Sequence, residues 1–352
     1  MKILHLIEEL GGGGKERRLV ELLKGLSKDA DFEIHLVLTK TSNYYPEVNL
    51  LPIKIHQLNG FSNIAIIRQY FLLLKKVKPN IVHSWSFKTS FYISILKPLF
   101  SFKFIVGFIG DTFGFSKLKA IVGKQIIFRN ADIIVSNSQI GLNAYKVVKN
   151  KGKVIHNGFD PIRISKNETN NLQELGVITP LNIVMLANVT PYKNYQLFID
   201  IAEHFVNQRY DITFISIGKI QPAFEKLTKP YADNKHPKIK FLGFKDDVNE
   251  LIKHCDIGLL CTYTEGISNS IMELMANGVP VITNDLNGAS KEIISNGING
   301  FICKNEEMID KIQQLISNKS LRSMFSQNAS NRIAEDYSLK KMVSNYIHIY
   351  LN

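Results

Sequence analysis

Cysteine is scarce in this 352-residue chain. The three present, Cys255, Cys261 and Cys303, are odd in number and show no C-x-x-C spacing. That argues against a disulfide framework and a zinc site, and a reducing, cytoplasmic setting is expected. Long apolar runs are missing as well. The best candidates, Ile64–Leu74 and Phe100–Ile109, are interrupted by Arg68 and Lys103, so neither reaches the roughly 18 uncharged residues of a membrane span. The first ten residues, MKILHLIEEL, carry acid too early for a secretory leader and read as a first strand. Low complexity is absent. With 45% hydrophobic and 21% charged residues the chain is an ordinary globular one, long enough for two cores.

Acid is scarce in the first half only. Residues 1–165 hold 24 Lys and Arg against 11 Asp and Glu, and the remainder holds 19 against 20. The whole excess of +12 therefore lies in the first half, which implies an anionic partner there. Nucleic acid, an anionic bilayer and phosphorylated small molecules all qualify. From Phe71 to Lys124 lysines are mixed with Phe and Leu, the composition expected at a membrane surface. Buried strands with solvated lysines between them give the same pattern.

Strand and helix alternate throughout. KILHLI, EIHLVLT, IVHSW, FKFIVGFI and ADIIVSN read as strands of the first half. LNIVMLAN, DITFISIG, IKFLGF, DIGLLC and VPVITND read as strands of the second, with helices such as YQLFIDIAEHFVNQ, VNELIKHC and SNSIMELMANG between them. This is the signature of parallel βαβ sheets. The polar stretch Arg163–Pro180 is the best linker. An α/β architecture follows, with two doubly wound, Rossmann-like domains covering residues 1–165 and 166–334. An interdomain cleft at the facing strand ends is the expected ligand site.

Three motifs carry chemistry. Gly11–Gly14 lie between a strand and a helix, where glycines and a helix N-terminus admit an anion, and Lys15, Arg17 and Arg18 add charge. The spacing is not that of the G-x-G-x-x-G dinucleotide motif, and a simple tight turn is the bland alternative. Glu265 and Glu273 are eight residues apart, one in the loop after a strand and one a turn into the next helix. Both carboxylates are placed to accept hydrogen bonds from sugar hydroxyls, while N–H groups at the helix start receive phosphate. A helix-start charge and a solvated helix face are the bland alternative. Lys193 opens a helix after a strand, where a lysine is either solvated or a phosphate point charge.

These residues resemble the retaining family 4 glycosyltransferases of GT-B fold, of the kind that builds bacterial surface polysaccharides. EGISNSIME is similar to the family's E-x7-E motif, with Glu265 and Glu273 as its acids. GGGGKERR resembles its N-terminal GGxER loop and VIHNGFD its interdomain segment. The resemblance covers nearly the whole chain and is specific in the second half. It implies a nucleotide-diphosphate sugar as donor, a UDP-sugar being the expected class, in a donor domain of residues 166–334. The last helix, residues 335–352, would return to the acceptor-binding domain of residues 1–165. Glu273 would hold the nucleotide ribose, Glu265 the donor sugar, and Lys193 the diphosphate. Backbone groups of Gly266, Ile267, Ser268, Asn269, Ser270 and Ile271 would assist. Gly13 and Gly14 would close on the donor, and the base would sit near Gly218 and Phe244. No cofactor and no metal is implied. Consistently, no D-x-D follows a strand, and Asp246–Asp247 start a helix.

Two departures stand out. The family usually has arginine five residues before its donor-site lysine, where this chain has Asn188; Arg17 or Arg18 is the expected compensation. The family's donor-contacting histidine of the first domain is also missing. Asp111 in VGFIGDTFG is a candidate catalytic and acceptor-side substitute, or else a turn residue. His83 is a second acceptor-side candidate, or else a packed strand residue. The expected acceptor is a saccharide carried on a lipid, and the expected location is the inner face of the plasma membrane, peripherally bound. A GT-B sugar-nucleotide epimerase or phosphorylase is the alternative enzyme, favoured by donor turnover without acceptor dependence. A nucleic-acid-binding protein is the remote one, since no nucleic-acid module is recognisable.

Overall fold

A computed structural model describes residues 1–60, 62–109, 118–164, 180–231, 235–245, 248–263, 265–284 and 288–352. The chain divides into two compact units, Met1–Gly158 with Leu339–Asn352, and Phe159–Ser338. Most of the linker candidate, and Asp111, Asp246 and Asp247 with it, lie outside the described residues.

The first unit runs β1 (Lys2–Ile7), α1 (Gly14–Leu26), β2 (Glu33–Leu38), β3 (Lys54–Gln57), α2 (Asn63–Val77), β4 (Ile81–Ser84), α3 (Phe87–Leu96), β5 (Lys103–Ile109), α4 (Leu118–Asn130), β6 (Ile133–Ser136), α5 (Gln139–Ala144) and β7 (Gly152–Val154). Its strands pair in parallel in the order β3-β2-β1-β4-β5-β6-β7. The central strands are apolar on both faces because helices cover both. Along β1, Ile3 and Ile7 join one core with Leu19, Leu22 and Leu23 of α1. Leu4 and Leu6 join the other with Tyr70 and Leu74 of α2. His5 shares the face of Ile3 and Ile7 by the strand's two-residue period.

The second unit runs β8 (Leu181–Leu186), α6 (Tyr195–Asn207), β9 (Ile212–Ile217), α7 (Glu225–Thr228), β10 (Ile239–Phe241), α8 (Asn249–Ile252), β11 (Ile257–Leu260), α9 (Asn269–Ala276), β12 (Val281–Thr283), α10 (Ser290–Ile293), β13 (Gly300–Ile302), α11 (Met308–Ser317) and α12 (Lys319–Asp336). These strands are parallel too, in the order β10-β9-β8-β11-β12-β13. The final helix, α13 (Leu339–Leu351), belongs to the first unit and packs with α1 in its core.

Small polar residues start the helices. Ser62, Ser86, Ser138, Asn194 and Ser268 each accept a backbone N–H of the first turn of α2, α3, α5, α6 and α9 respectively. Each cap occupies one of the otherwise unsatisfied donors at a helix N-terminus. The charge divides sharply between the units. The first carries 25 Lys and Arg against 10 Asp and Glu, the second 18 against 21.

Candidate active site

In a doubly wound sheet, ligands bind beyond the carboxyl ends of the strands where the order reverses direction. In the second unit that place lies between β8 and β11, and the loops leaving these two strands carry the chemistry. After β8 come Asn188 and Lys193; after β11 comes Glu265, followed by the start of α9. Backbone bonds tie the two loops together. Asn194 N–H donates to Cys261 O at 3.0 Å, Tyr263 N–H donates to Tyr192 O at 3.2 Å, and Lys193 forms an antiparallel bridge with Thr262.

That stitching brings the Lys193 ammonium onto the Glu265 carboxylate as an ion pair. Both side chains keep some exposure, 16% and 23%, so the pair is reachable by a ligand. Glu265 is fixed through its main chain, its carbonyl accepting Ala289 N–H at 3.1 Å. Gly266, Ile267 and Ser268 are buried behind it. Asn269 and Ser270, the first two residues of α9, are half-buried. Ser268 Oγ meets Ser270 Oγ at 2.9 Å and the Ile271 N–H at 3.5 Å, so the cap engages Ile271, one of the expected phosphate donors. Glu273, one turn further along, has a buried side chain, and its carboxylate is ion-paired with Arg163. Arg163 lies over the ring of Phe159 at 5.1 Å.

Gly218 and Phe244 follow β9 and β10 at the same end of this sheet. Gly218 N–H donates to Gly243 O at 2.9 Å. A side chain at Gly218 would begin 2.1 Å from Ala187 O, so the approach of these loops requires glycine. Phe244 is half exposed, a ring available for stacking. Among the described residues no group of three or more His, Cys, Asp or Glu is placed to hold a metal.

In the first unit Gly13 is the N-cap residue of α1 and Gly14 its first residue, with Arg17 in the turn that follows. Arg18 turns inward instead. Its guanidinium donates to Gly107 O at 2.6 Å and lies 5.0 Å from the Trp85 ring centre. It is therefore committed inside this unit, which removes it as the compensating cation. His83 has no exposed surface. Its Nδ1 meets Tyr350 Oη of α13 at 2.8 Å, and its ring packs against Trp85 at 4.3 Å. Of the two readings of His83 the structure gives the packed one, which corrects its placement as an acceptor-side residue. The neighbouring His5 accepts Trp85 Nε1–H at 3.2 Å. Burial pulls its pKa down to about 3, and burial beside His5 and Arg18 holds that of His83 far below the usual range.

The family model described as "Glycosyl transferases group 1" matches residues 169–332, the segment holding the β8–β11 switch point. Over that segment the chain matches the group 1 glycosyltransferases. A UDP-galactose:α-D-GlcNAc-diphosphoundecaprenol α-1,3-galactosyltransferase of Escherichia coli is 23% identical over 82% of this chain and 81% of its own length. An uncharacterized glycosyltransferase of Methanocaldococcus jannaschii is 24% identical over 96% of this chain and 94% of its own. The crystal structure of HepE from Anabaena in complex with UDP and glucose superposes with a TM-score of 0.83 over 99% of both chains, at 19% identity. The fold is accordingly of GT-B type.

Against this glycosyltransferase frame, the sequence placed Glu265, Lys193, Gly218 and the α9 start at one sheet end, and the structure brings them together. Asn188 is there as well, but its Oδ1 accepts the Lys219 N–H at 2.8 Å, which makes it a loop brace. Arg163 is the residue that sequence reading missed. It falls in the segment read as linker, and its partner Glu273 is 110 residues away. The only local hint was a lone arginine just after the V-I-H-N-G-F-D stretch.

Proposed function

We propose that this glycosyltransferase moves a sugar, with retention of anomeric configuration, from a UDP-sugar to a lipid-linked saccharide in polysaccharide assembly. The reading rests on one observation: beyond the strand-order reversal of the sheet, Lys193 is paired with Glu265 in the loop that leads into α9, the helix that carries Glu273. Glu273 takes the ribose hydroxyls, Glu265 the hydroxyls of the donor sugar, and Lys193 with the first N–H groups of α9 takes the diphosphate. Negative charge grows on that diphosphate as the glycosidic bond breaks, and a fixed cation and aligned N–H groups stabilise it most when the charge is greatest. The departing phosphate oxygen then accepts the proton of the attacking acceptor hydroxyl on the same face of the sugar. No protein nucleophile is assigned. The acceptor class is supported by the diphosphoundecaprenol-linked substrate in the name of the E. coli relative.

Attachment to an anionic membrane surface belongs to the same proposal. Ile64 and Leu72 of α2 are 79% and 53% exposed, and Ile95 and Leu99, on α3 and just after it, are 46% and 65% exposed. Exposed Arg68, Lys75, Lys76 and Lys88 stand among them. No helix among the described residues is long and apolar enough to cross a membrane.

The first test is a thermal-shift panel of UDP, GDP, ADP and their sugars on wild type and Glu273→Ala. A nucleotide at a hundredfold excess over its dissociation constant raises stability by about 2.7 kcal/mol. Selective stabilisation by UDP, lost in the variant, is expected; stabilisation by another nucleotide would reassign the donor. Anomeric analysis of the product by NMR decides between retention and inversion. Turnover is expected to persist in EDTA, and abolition by EDTA with recovery on adding Mg²⁺ or Mn²⁺ would overturn the metal-free mechanism.

A further inference from the structure

Each carboxylate of the donor site holds a cation: Lys193 on Glu265 and Arg163 on Glu273. Glu273 has only 6% of its side chain exposed, and a buried carboxylate needs a partner. The vicinal hydroxyls of a ribose require the carboxylate that the guanidinium now occupies, so a nucleotide has to displace Arg163 to bind. The displaced guanidinium then needs an anion. The nucleotide brings one, and the planar fork of arginine matches phosphate oxygens better than any other side chain. Position 188 offers no competing cation, its amide being spent on the Lys219 N–H.

The mounting of Arg163 suits such a transfer. Residues 161–163 form a single turn of 3-10 helix whose Ile162 N–H donates to Asp160 Oδ1 at 3.0 Å. Just upstream, Phe159 N–H donates to Tyr337 O at 2.7 Å. The main chain beneath Arg163 is thus held at both points. Its side chain, 24% exposed and stacked on Phe159, is the part free to swing. The charges also balance: two ion pairs become two carboxylate–hydroxyl contacts and two cations facing one diphosphate.

We infer that Arg163 is the second diphosphate cation of this enzyme, parked on Glu273 until the ribose displaces it. The inference rests on the proposed donor site. It is tested by calorimetric binding of uridine, UMP and UDP to wild type, Arg163→Gln and Arg163→Lys. Arg163→Gln is expected to weaken UDP at least about tenfold, the loss of a hydrogen bond to a charged group, while uridine binds as well as or better than to wild type. Arg163→Lys should recover part of the UDP affinity. Equal weakening of uridine and UDP would make Arg163 a purely structural partner of Glu273, and unchanged UDP affinity would exclude a diphosphate contact; either overturns the inference. Should Arg163→Gln fail to fold, the comparison is made with Arg163→Lys, for which unchanged or equally weakened UDP and uridine binding is again the overturning result. Wild type binding none of the three ligands would instead overturn the uridine-nucleotide reading itself.

Discussion

Gly218 accepts no side chain, because a Cβ there would lie 2.1 Å from Ala187 O and 2.8 Å from Asn188 N. These are backbone atoms at the root of the loop that carries Lys193, so relief requires that loop to move. Gly218→Ala is expected to cost about 1–3 kcal/mol in chemical denaturation, the range for overpacking, and to weaken nucleotide binding through the displaced loop. Loss of stability with unchanged nucleotide affinity would separate Gly218 from the site. On the proposed donor site, Lys193→Met is expected to lower kcat while leaving the fold intact, since it removes the charge assigned to the departing diphosphate rather than a core contact. At this scale Glu265, Glu273 and Lys193 were legible because contiguous motifs fix their spacing to a strand end. Arg163 was not, because a contact across 110 residues leaves no local pattern. His83 was ambiguous for a related reason. A strand histidine looks the same in sequence whether its neighbour is solvent or, as here, the ring of Tyr350 from the last helix.

The strands that show in the sequence are those whose burial writes continuous apolar runs, including the three-residue β12 and the outermost β10. Those that do not show are β3, β7 and β13. Each has only three or four residues, and each is the outermost strand at one end of its sheet. The stretch VNELIKHC reads as a full helix, yet only Asn249–Ile252 are helical. The last helix, α13, joins the first unit and its core. It is tied to the sheet by the His83–Tyr350 hydrogen bond and by Lys103 Nζ donating to Ile349 O at 2.8 Å. Around His83 stand His5 of β1, Arg18 of α1, Trp85, and Tyr346 and Tyr350 of α13, with no acid among these neighbours. Both histidines are neutral when folded and take up a proton when unfolded below about pH 6.5. Because the unfolded state binds more protons there, stability is full above about pH 6.5 and falls as the pH drops toward 3. The slope is about 1.4 kcal/mol per pH unit for each histidine. Melting curves from pH 7.5 to 5 should show this decline, and His83→Phe should flatten it. Tyr350→Phe should cost about 1 kcal/mol at neutral pH, the worth of one buried hydrogen bond.

The division of charge is a property of the whole molecule. Lys340 and Lys341 of α13 join the first unit, so it carries a net +15 and the second −3. A donor of UDP-sugar class is anionic, yet the unit proposed to bind it is not basic overall, so on that proposal charge acts locally, through Lys193 and Arg163. The excess on the first unit is assigned, in the proposal, to an anionic membrane surface. Composition alone leaves buried strands and a bilayer surface equally open, because lysine mixed with phenylalanine serves both. Burial assigns the residues one by one: Leu73 and Leu74 face the core, while Leu72, Lys75 and Lys76 of the same helix do not and are the ones offered to the proposed surface. Phe71 and Phe100 meet edge to face at 5.3 Å and join α2 to the turn after α3. Each lysine near an anionic surface contributes about 1 kcal/mol, screened by salt within a Debye length. Wild type is therefore expected to co-sediment with vesicles containing phosphatidylglycerol but not with phosphatidylcholine alone, and to be released as salt rises. Lys75→Gln with Lys76→Gln should weaken that binding and reduce its salt dependence. Leu72→Glu should abolish it, while turnover of a water-soluble acceptor analogue stays at the wild-type rate, because Leu72 lies outside the donor unit. Vesicle binding that survives both variants would move the membrane contact elsewhere on the basic unit. Binding equally tight to neutral vesicles would remove charge as its cause.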